Sequence, residues 1–413
     1  MNLEYFIAKR LIKGKEHKIS ISAPIIKIAI AAIALGIIMM LIAIATGVGL
    51  KHKIREKVSA FNGHIQIYNY DNNVSEVSVA PVSIKQEFYP EFKGVEGISH
   101  IQAVASKAGI IRTADTFEGI IAKGVGKDYK WAVFEEYLVD GNLPDFSGSL
   151  NSEVLISSLI ANRLGLKVGD EFFAVFIKED NPSARPNQRK FKVTGIYDSG
   201  FEELDALYIF TDIRHIQRMN KWEEDEVGNF EVFLDSFDEI EEKSIEIYGA
   251  TLSTFDSQNI KNKYIQIFEW IGLFDFNIAL IIGIMVIVGG INMITALLVL
   301  ILERTQMIGI LKALGSPNWT IRKVFLYNAA YLIGIGLLWG NGIGLGLIWL
   351  QHKYRMFKFP NPQEYYIDYI PVHIDPLTVI LLNIGVLLLC LLMLLVPSHI
   401  ITKISPVKAI KFE

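Results

Sequence analysis

The side chains that could do chemistry in this 413-residue chain are few and scattered. His17, His52, His64, His100, His215, His352, His373 and His399 never fall into the His-Glu-x-x-His spacing that sets two imidazoles on one helix face around a metal. The only cysteine, Cys390, sits inside the apolar run LLLCLLMLL, so the chain can form neither an internal disulfide nor a thiolate zinc site. Neighbouring carboxylates at Glu135 and Glu136, at Glu202 and Glu203, and from Glu223 to Glu226 have the makings of acid and base pairs, yet such runs are ordinarily solvated surface. No stretch reads Gly-x-x-x-x-Gly-Lys-Ser/Thr, the loop that cradles nucleotide phosphates. The expectation is a chain that is not itself an enzyme and holds no metal or cofactor.

The densest cluster of informative residues is mechanical. In ERTQMIGILKALGSPNWTIRKVF, Glu303 to Phe325, the pattern predicts an amphipathic helix from Arg304 to Leu314. Met307, Ile308, Ile310, Leu311 and Leu314 share one side of it, while Arg304, Gln306 and Lys312 fall elsewhere. Gly315 is the expected stop, Ser316 the next N-cap and Pro317 the first position of the following helix, a tight corner that turns the chain back. A helix lying among lipid headgroups is the plainer reading of the same pattern.

Apolar stretches on both sides make that second reading concrete. The chain is 51% hydrophobic and 20% charged with a mean hydropathy of +0.34, too apolar for a soluble core alone and too polar for a wholly embedded protein. Four segments are long enough to cross a bilayer: Pro24–Leu50, Phe276–Leu302, Phe325–Leu350 and Pro376–Pro397. Only the first carries a charge, Lys27, near enough to its end to snorkel. Its length and the lack of a small-x-small cleavage site favour an uncleaved anchor over a signal peptide. Lys9, Arg10, Lys13, Lys15 and Lys18, then Arg304, Lys312, Arg322 and Lys323, then Lys403, Lys408 and Lys411 all fall on one side of a four-span arrangement. Basic short loops mark the cytoplasmic side, which predicts cytoplasmic N and C termini. Residues 51–271 carry 36 Asp and Glu against 24 Lys and Arg and are expected on the opposite side. The net charge of −4 and pI of 6.1 give no reason to expect nucleic acid.

Between the first two spans, the chain has room for one or two domains. HIQIYNY reads as a strand, SIKQEFYPEFKGV as a helix and ISHIQAVAS as a returning strand; NFEVFLDS, FDEIEEKSIEIYG and ATLSTFD repeat that order later. These halves, 61–125 and 228–258, are expected to close one α+β unit split by a β-rich insertion at 126–227. In the insertion, VLISSLIANRLGLKVGDEFFAVFI holds a short helix, a turn and a strand, and FKVTGIYDSG and ALYIF further strands. KEDNPSARPNQRKFKV breaks the strand rhythm with prolines and basic residues, as an exposed hairpin tip does.

The elbow segment resembles the E-R-x-x-E-I-G-I-L-K-A-L-G signature of FtsX-like ABC-transporter permeases, with Met307 where the signature has its second glutamate, and a glycine-rich span, GIGLLWGNGIGLGL, follows as in that superfamily. FIAKRLIKGK, TGVGLKHKIREKVSAFNGHIQIY, VTGIYDSGFEELDALYIF, YYIDYIPVHIDP and ISPVKAIKFE extend the resemblance over the whole chain, to the lipoprotein-releasing permeases LolC and LolE. This likeness implies an integral membrane α-helical protein with four transmembrane helices and a large α+β periplasmic domain, made of a porter-like part and the β-rich insertion. It implies a bacterial inner-membrane location, with residues 1–23 as a cytoplasmic amphipathic segment, spans at 24–50, 276–302, 325–350 and 376–400, a coupling loop at 303–323, an outer loop at 351–375 and a cytoplasmic tail at 401–413.

The same resemblance implies roles. Arg304, Ile308, Leu311, Lys312, Leu314 and Gly315 become the coupling helix that docks on a separate ABC ATPase dimer, which binds the ATP and magnesium. Arg185, Pro186, Asn187, Gln188 and Arg189 become a hook for a periplasmic lipoprotein chaperone. Ile37, Met39, Met40, Ile44, Met285 and Val286 are expected to form an apolar wall for lipoprotein acyl chains at the seam with a second permease copy, identical or not. Exposing three chains of about sixteen carbons would cost tens of kcal/mol at about 0.8 kcal/mol per CH₂, so extraction has to be sheltered. Gly336, Gly340 and Gly344 are expected to allow close helix packing inside the subunit. The alternatives are a mechanotransmitting exporter of peptides or drugs, an FtsX-type cell-division regulator, and a membrane-anchored sensor with no ATPase.

Overall fold

The computed structural model describes residues 3–13, 22–72, 75–113, 116–176, 185–360, 367 and 369–405. Lys15 and Lys18, residues 178–184 of the polar loop, Tyr365, Tyr366 and Asp368 of YYIDY, and Lys408 and Lys411 lie outside the described residues. In chain order, α1 (Leu3–Lys13) and α2 (Ser22–Asn62) precede β1 (Ile65–Asn69), β2 (Val82–Ser83), β3 (Ile98–Arg112) and β4 (Phe117–Val125). Next come α3 (Ala132–Tyr137), β5 (Leu138–Gly141), β6 (Glu153–Ser157), α4 (Ser158–Leu164), β7 (Glu171–Phe176), β8 (Asn187–Tyr197), α5 (Glu202–Asp205), β9 (Tyr208–Asp212) and α6 (Ile213–Asn220). They are followed by β10 (Glu226–Val227), β11 (Asn229–Leu234), α7 (Ile240–Ala250), β12 (Phe255–Asn259) and α8 (Ile260–Lys263). The chain ends with α9 (Ile265–Glu303), α10 (Thr305–Ala313), α11 (Asn318–Tyr354), α12 (Pro376–Leu395) and α13 (Ile400–Lys403). Two compact units result: Met1–His52 with Trp270–Lys358 and Tyr369–Glu413, and Lys53–Glu269 with Phe359–Asp368.

The first unit is helical. Among the described residues, α2, α9, α11 and the helix that starts at Pro376 are long and apolar enough to cross a membrane. Glycine decides how two of them pack. A Cβ on Gly336 would stand 2.7 Å from Ile33 Cγ2, one on Gly340 2.7 Å from Ile37 Cβ and 2.9 Å from the Ala34 carbonyl, and one on Gly344 2.9 Å from Leu41 Cδ1. The glycine stripe of α11 therefore brings its backbone against α2, where dispersion replaces the hydrophobic effect as the cohesive force. Asn341 and Asn383 exchange amide hydrogen bonds of 2.6 and 3.0 Å, tying α11 to α12. α1 lies along α11, with Tyr5 edge-on to Tyr327 and Glu4 3.6 Å from Lys323. The helices outrun their apolar stretches: α2 continues through the polar KHKIREKVSAFN to Asn62, and α9 begins at Ile265, well before Phe276.

The second unit is built on a ten-stranded sheet ordered β12-β1-β11-β3-β4-β9-β6-β8-β5, with β7 beside both β3 and β8. The split halves and the insertion share this sheet and do not form separate ones. β3, 15 residues long, makes the join: its first part pairs with β11 and its last part with β7. β4 and β9 then pair in parallel from Ile121↔Tyr208 to Val125↔Asp212. Ile120, Val154, Ile156, Phe172, Phe191 and Ile209 fill one core. Rings of Phe61, Phe134, Tyr197 and Phe210 meet edge-on or tilted in another, so the end of α2 is embedded in this unit.

Two local expectations are corrected. SIKQEFYPEFKGV is not helical; residues 84–97 run through turns and bends, because Pro90 withholds an amide donor and Gly94 adds backbone freedom. The returning strand starts later than ATLSTFD predicts and shares only Phe255 and Asp256 with it: β12 begins at Phe255, and Phe255 to Asn259 pair with Asn69 to Ile65.

Candidate functional site

The elbow begins where α9 breaks at Arg304, whose backbone (φ −103°, ψ 20°) leaves helical geometry before α10 resumes it. α10 ends in a Schellman arrangement: the Gly315 amide donates to the Lys312 carbonyl and the Ser316 amide to the Leu311 carbonyl, both at 3.0 Å. Gly315 sits at φ +85°, where a side chain would be strained. The N-cap falls one residue later than expected, on Pro317 (φ −66°, ψ 148°), and α11 starts at Asn318. Proline's fixed φ suits this position, and no side-chain oxygen caps the helix.

Burial divides the expected coupling residues. Ile308 is fully buried among Ile301, Ile321, Phe325 and Ile401, so it holds α10 in place and is not presented outward. Leu311 and Met307 are half-buried against the same cluster. Arg304 is also half-buried. Leu314, 78% exposed, reaches the surface together with Ile310 and Trp319. Ile310 and Trp319 were not among the expected contacts, because helical periodicity gives a face without saying which neighbour takes it.

Lys312 does not point outward. Its ammonium donates to the carbonyls of Ile401 (2.6 Å), Ile404 (2.8 Å) and Thr402 (3.3 Å), and desolvation there pulls it below the usual lysine range. Arg322, beyond the corner, donates to the Leu395 carbonyl at 2.8 Å and to Ser398 Oγ at 3.1 Å, with its guanidinium 5.2 Å from the Trp319 ring. Two cations thus satisfy carbonyls that the last helices leave open. The elbow is thus fastened on both sides of its corner.

In the second unit, the stretch expected as a hook enters regular structure early. Arg185 and Pro186 are exposed and precede β8, whereas Asn187, Gln188 and Arg189 are its first residues, paired with Phe176, Val175 and Ala174. Strand alternation sends Gln188 and Lys190 outward and turns Arg189 toward Phe191 and Val193, which are fully buried. Asn187 donates to the Met219 carbonyl at 3.4 Å, and Lys190 pairs with Glu171 at 2.5 Å. Among the described residues of that stretch, Arg185 and Pro186 alone lie outside the strand.

Burial also divides the residues expected to form an acyl wall. Ile37, Met40, Ile44 and Val286 are buried within the subunit, Ile37 directly beneath Gly340 of α11. Met285 is half-buried near Gly36, and of the six only Met39 (44%) is exposed. Leu35 on α2 and Leu280, Ile284 and Ile287 on α9 present the outward apolar edge.

Residues 28–246 match the MacB-like periplasmic core domain, and residues 279–406 match the FtsX-like permease C-terminal region. The lipoprotein-releasing system transmembrane protein LolE of Haemophilus influenzae is 21% identical over 99% of each chain. LolC of Neisseria meningitidis serogroup B, of the same system, is 23% identical over 100% of each. The ABC transporter permease YknZ of Bacillus subtilis is 23% identical over 76% of this chain and 80% of its own.

Proposed function

This chain belongs to the permease family in which a MacB-like periplasmic core domain is joined to an FtsX-like C-terminal half, and we propose that it is the permease subunit of an ABC transporter that extracts acylated lipoproteins from the bacterial inner membrane. The observation that carries this reading is likeness along the entire chain to LolE and LolC, proteins named for lipoprotein release. In this reading the elbow is cytoplasmic, and the second unit is periplasmic.

The chain's own residues divide the work. Leu314, Ile310 and Trp319 offer an ATPase subunit an exposed apolar contact, while Ile308, Lys312 and Arg322 keep that contact from yielding. ATP is hydrolysed on the partner subunit. Leu35, Met39, Leu280 and Ile284 give a second permease copy or an acyl chain an apolar edge, and Arg185 and Pro186, exposed just before β8, are the residues offered to a periplasmic chaperone.

Affinity purification of the tagged chain from its native membranes tests the proposal. Recovery of an ABC-type ATPase with triacylated proteins is expected; recovery of the ATPase with peptides or drugs as the transported species would replace the substrate assignment. Recovery of no ATPase at all would remove the reading.

A further inference from the structure

The last turn of α2 is received by polar groups where an apolar core would be ordinary. Lys123 on β4 and Glu231 on β11 face each other at 2.5 Å with side chains 2% and 1% exposed, and the Lys123 ammonium also donates to the Phe61 carbonyl. Tyr129 donates its hydroxyl proton to the Ala60 carbonyl at 3.2 Å. Lys263 reaches Asn62 Oδ1 at 3.0 Å, Gln66 Oε1 at 3.2 Å and Glu76 Oε2 at 2.9 Å. Glu231 accepts from Gln102 Nε2 at 2.8 Å, and strand register sets Gln66, Glu231 and Gln102 side by side on one face of the sheet. A polar cleft lined by Asn62, Gln66, Glu76, Lys123, Glu231 and Lys263 opens next to them.

Stability does not explain this joint. A buried ion pair loses much of its attraction to desolvation, and an apolar replacement of similar volume is often neutral or stabilising. Direction is what the polar version adds. Apolar contact lets a helix end slide or rotate with little change in energy, whereas hydrogen bonds to the last carbonyls weaken steeply with misalignment. The cation also complements the negative end of the helix dipole.

We propose that Lys123 and Glu231 are positioning residues that hold the end of α2 in one rotational setting on the sheet, so that movement of this helix is passed through the sheet to β8, the strand that begins with Asn187 to Arg189. The proposal rests on the transport reading given above. Its geometry lies entirely within the second unit.

The test uses the complete transporter, with its ATPase, in proteoliposomes. The pair Lys123→Met with Glu231→Met removes both charges together, leaves the Phe61 carbonyl and the Gln102 amide without these partners, and is expected to fold with a modestly lowered melting temperature and wild-type ATP hydrolysis while release of acylated protein per ATP falls about fivefold. The pair Lys123→Gln with Glu231→Gln retains directional bonds and is expected to restore most of that release. Full release per ATP in the Met pair overturns the proposal. Should the Met pair fail to assemble, Tyr129→Phe removes a single bond to the same turn; lowered release at unchanged hydrolysis supports the joint, and unchanged release overturns it. A wild-type transporter that releases no lipoprotein sinks the transport reading alone, because hydrogen exchange over residues 58–66 still reads the joint: exchange about tenfold faster in the Met pair during ATP turnover supports it, and equal exchange overturns it.

Discussion

The ammonium of Lys312 lies 2.6 Å from the carbonyl oxygen of Ile401, a residue that is fully buried and 89 positions further along the chain. The elbow and the end of the last helix are therefore one block. Replacing Lys312 with Met leaves three carbonyls without that donor. The expected loss is about 1–2 kcal/mol, discounted because solvent still reaches the side chain. A thermal melt of the purified protein in detergent checks it, and a melt no lower than wild type would show that water replaces the lysine at no cost.

Leu314 and Ile308 should separate binding from folding. Leu314→Asp alters a side chain that is 78% exposed and is expected to leave the melt unchanged while weakening ATPase association about tenfold or more. Ile308→Ala empties a fully buried site and is expected to cost about 2–4 kcal/mol of stability. Pull-down of the ATPase against the melt of each variant measures both. Equal pull-down by wild type and Leu314→Asp would mean that the exposed end of α10 is not the contact.

The glycine stripe gives a comparison within one helix. A Cβ on Gly340 meets Ile37 Cβ at 2.7 Å and the Ala34 carbonyl at 2.9 Å, whereas one on Gly342 meets nothing within 4 Å. Gly340→Ala is expected to destabilise the helical unit by about 1–3 kcal/mol and Gly342→Ala to be nearly neutral. Detergent melts or the yield of intact protein from membranes would show the order, and equal effects would mean that α11 does not rest on α2 at this register.

Residues whose type states their conformational role were legible in the sequence. Gly315 ended α10, Gly336, Gly340 and Gly344 marked a close helix contact, and long apolar runs marked the spans. What periodicity cannot say is which apolar face is taken inside the subunit. Ile37 looks like any lipid-facing residue until Gly340 of α11 is seen to lie against it. Lys312 and Lys123 were illegible for a related reason: the carbonyls of Ile401 and Phe61 that they meet carry no sequence signal, and the other partner of Lys123, Glu231, lies 108 positions away. Lys123 left a trace all the same, a lone charge inside the strand pattern GIIAKGV, where a buried partner is required.

The second unit also predicts a pH response, carried by two groups that oppose each other. Burial raises Asp205 from 3.8 to about 7, despite hydrogen bonds from the Ser199 amide and hydroxyl. Burial lowers His64 from 6.5 to about 4, aided by Lys130, and its Nδ1 accepts from the Leu234 amide at 2.8 Å. Folding therefore binds a proton at Asp205, whose contribution is lost as pH rises from about 4 to 7, and releases one at His64, whose contribution is lost as pH falls from 6.5 to about 4. Between pH 4 and 6.5 the two slopes offset. Asp205→Asn removes one of them, so the variant should lose stability relative to wild type as pH falls through that window, by up to about 1.4 kcal/mol per pH unit. Melts of both proteins at pH 5, 6 and 7 measure the difference, and a constant gap would mean that Asp205 stays ionised in the folded protein.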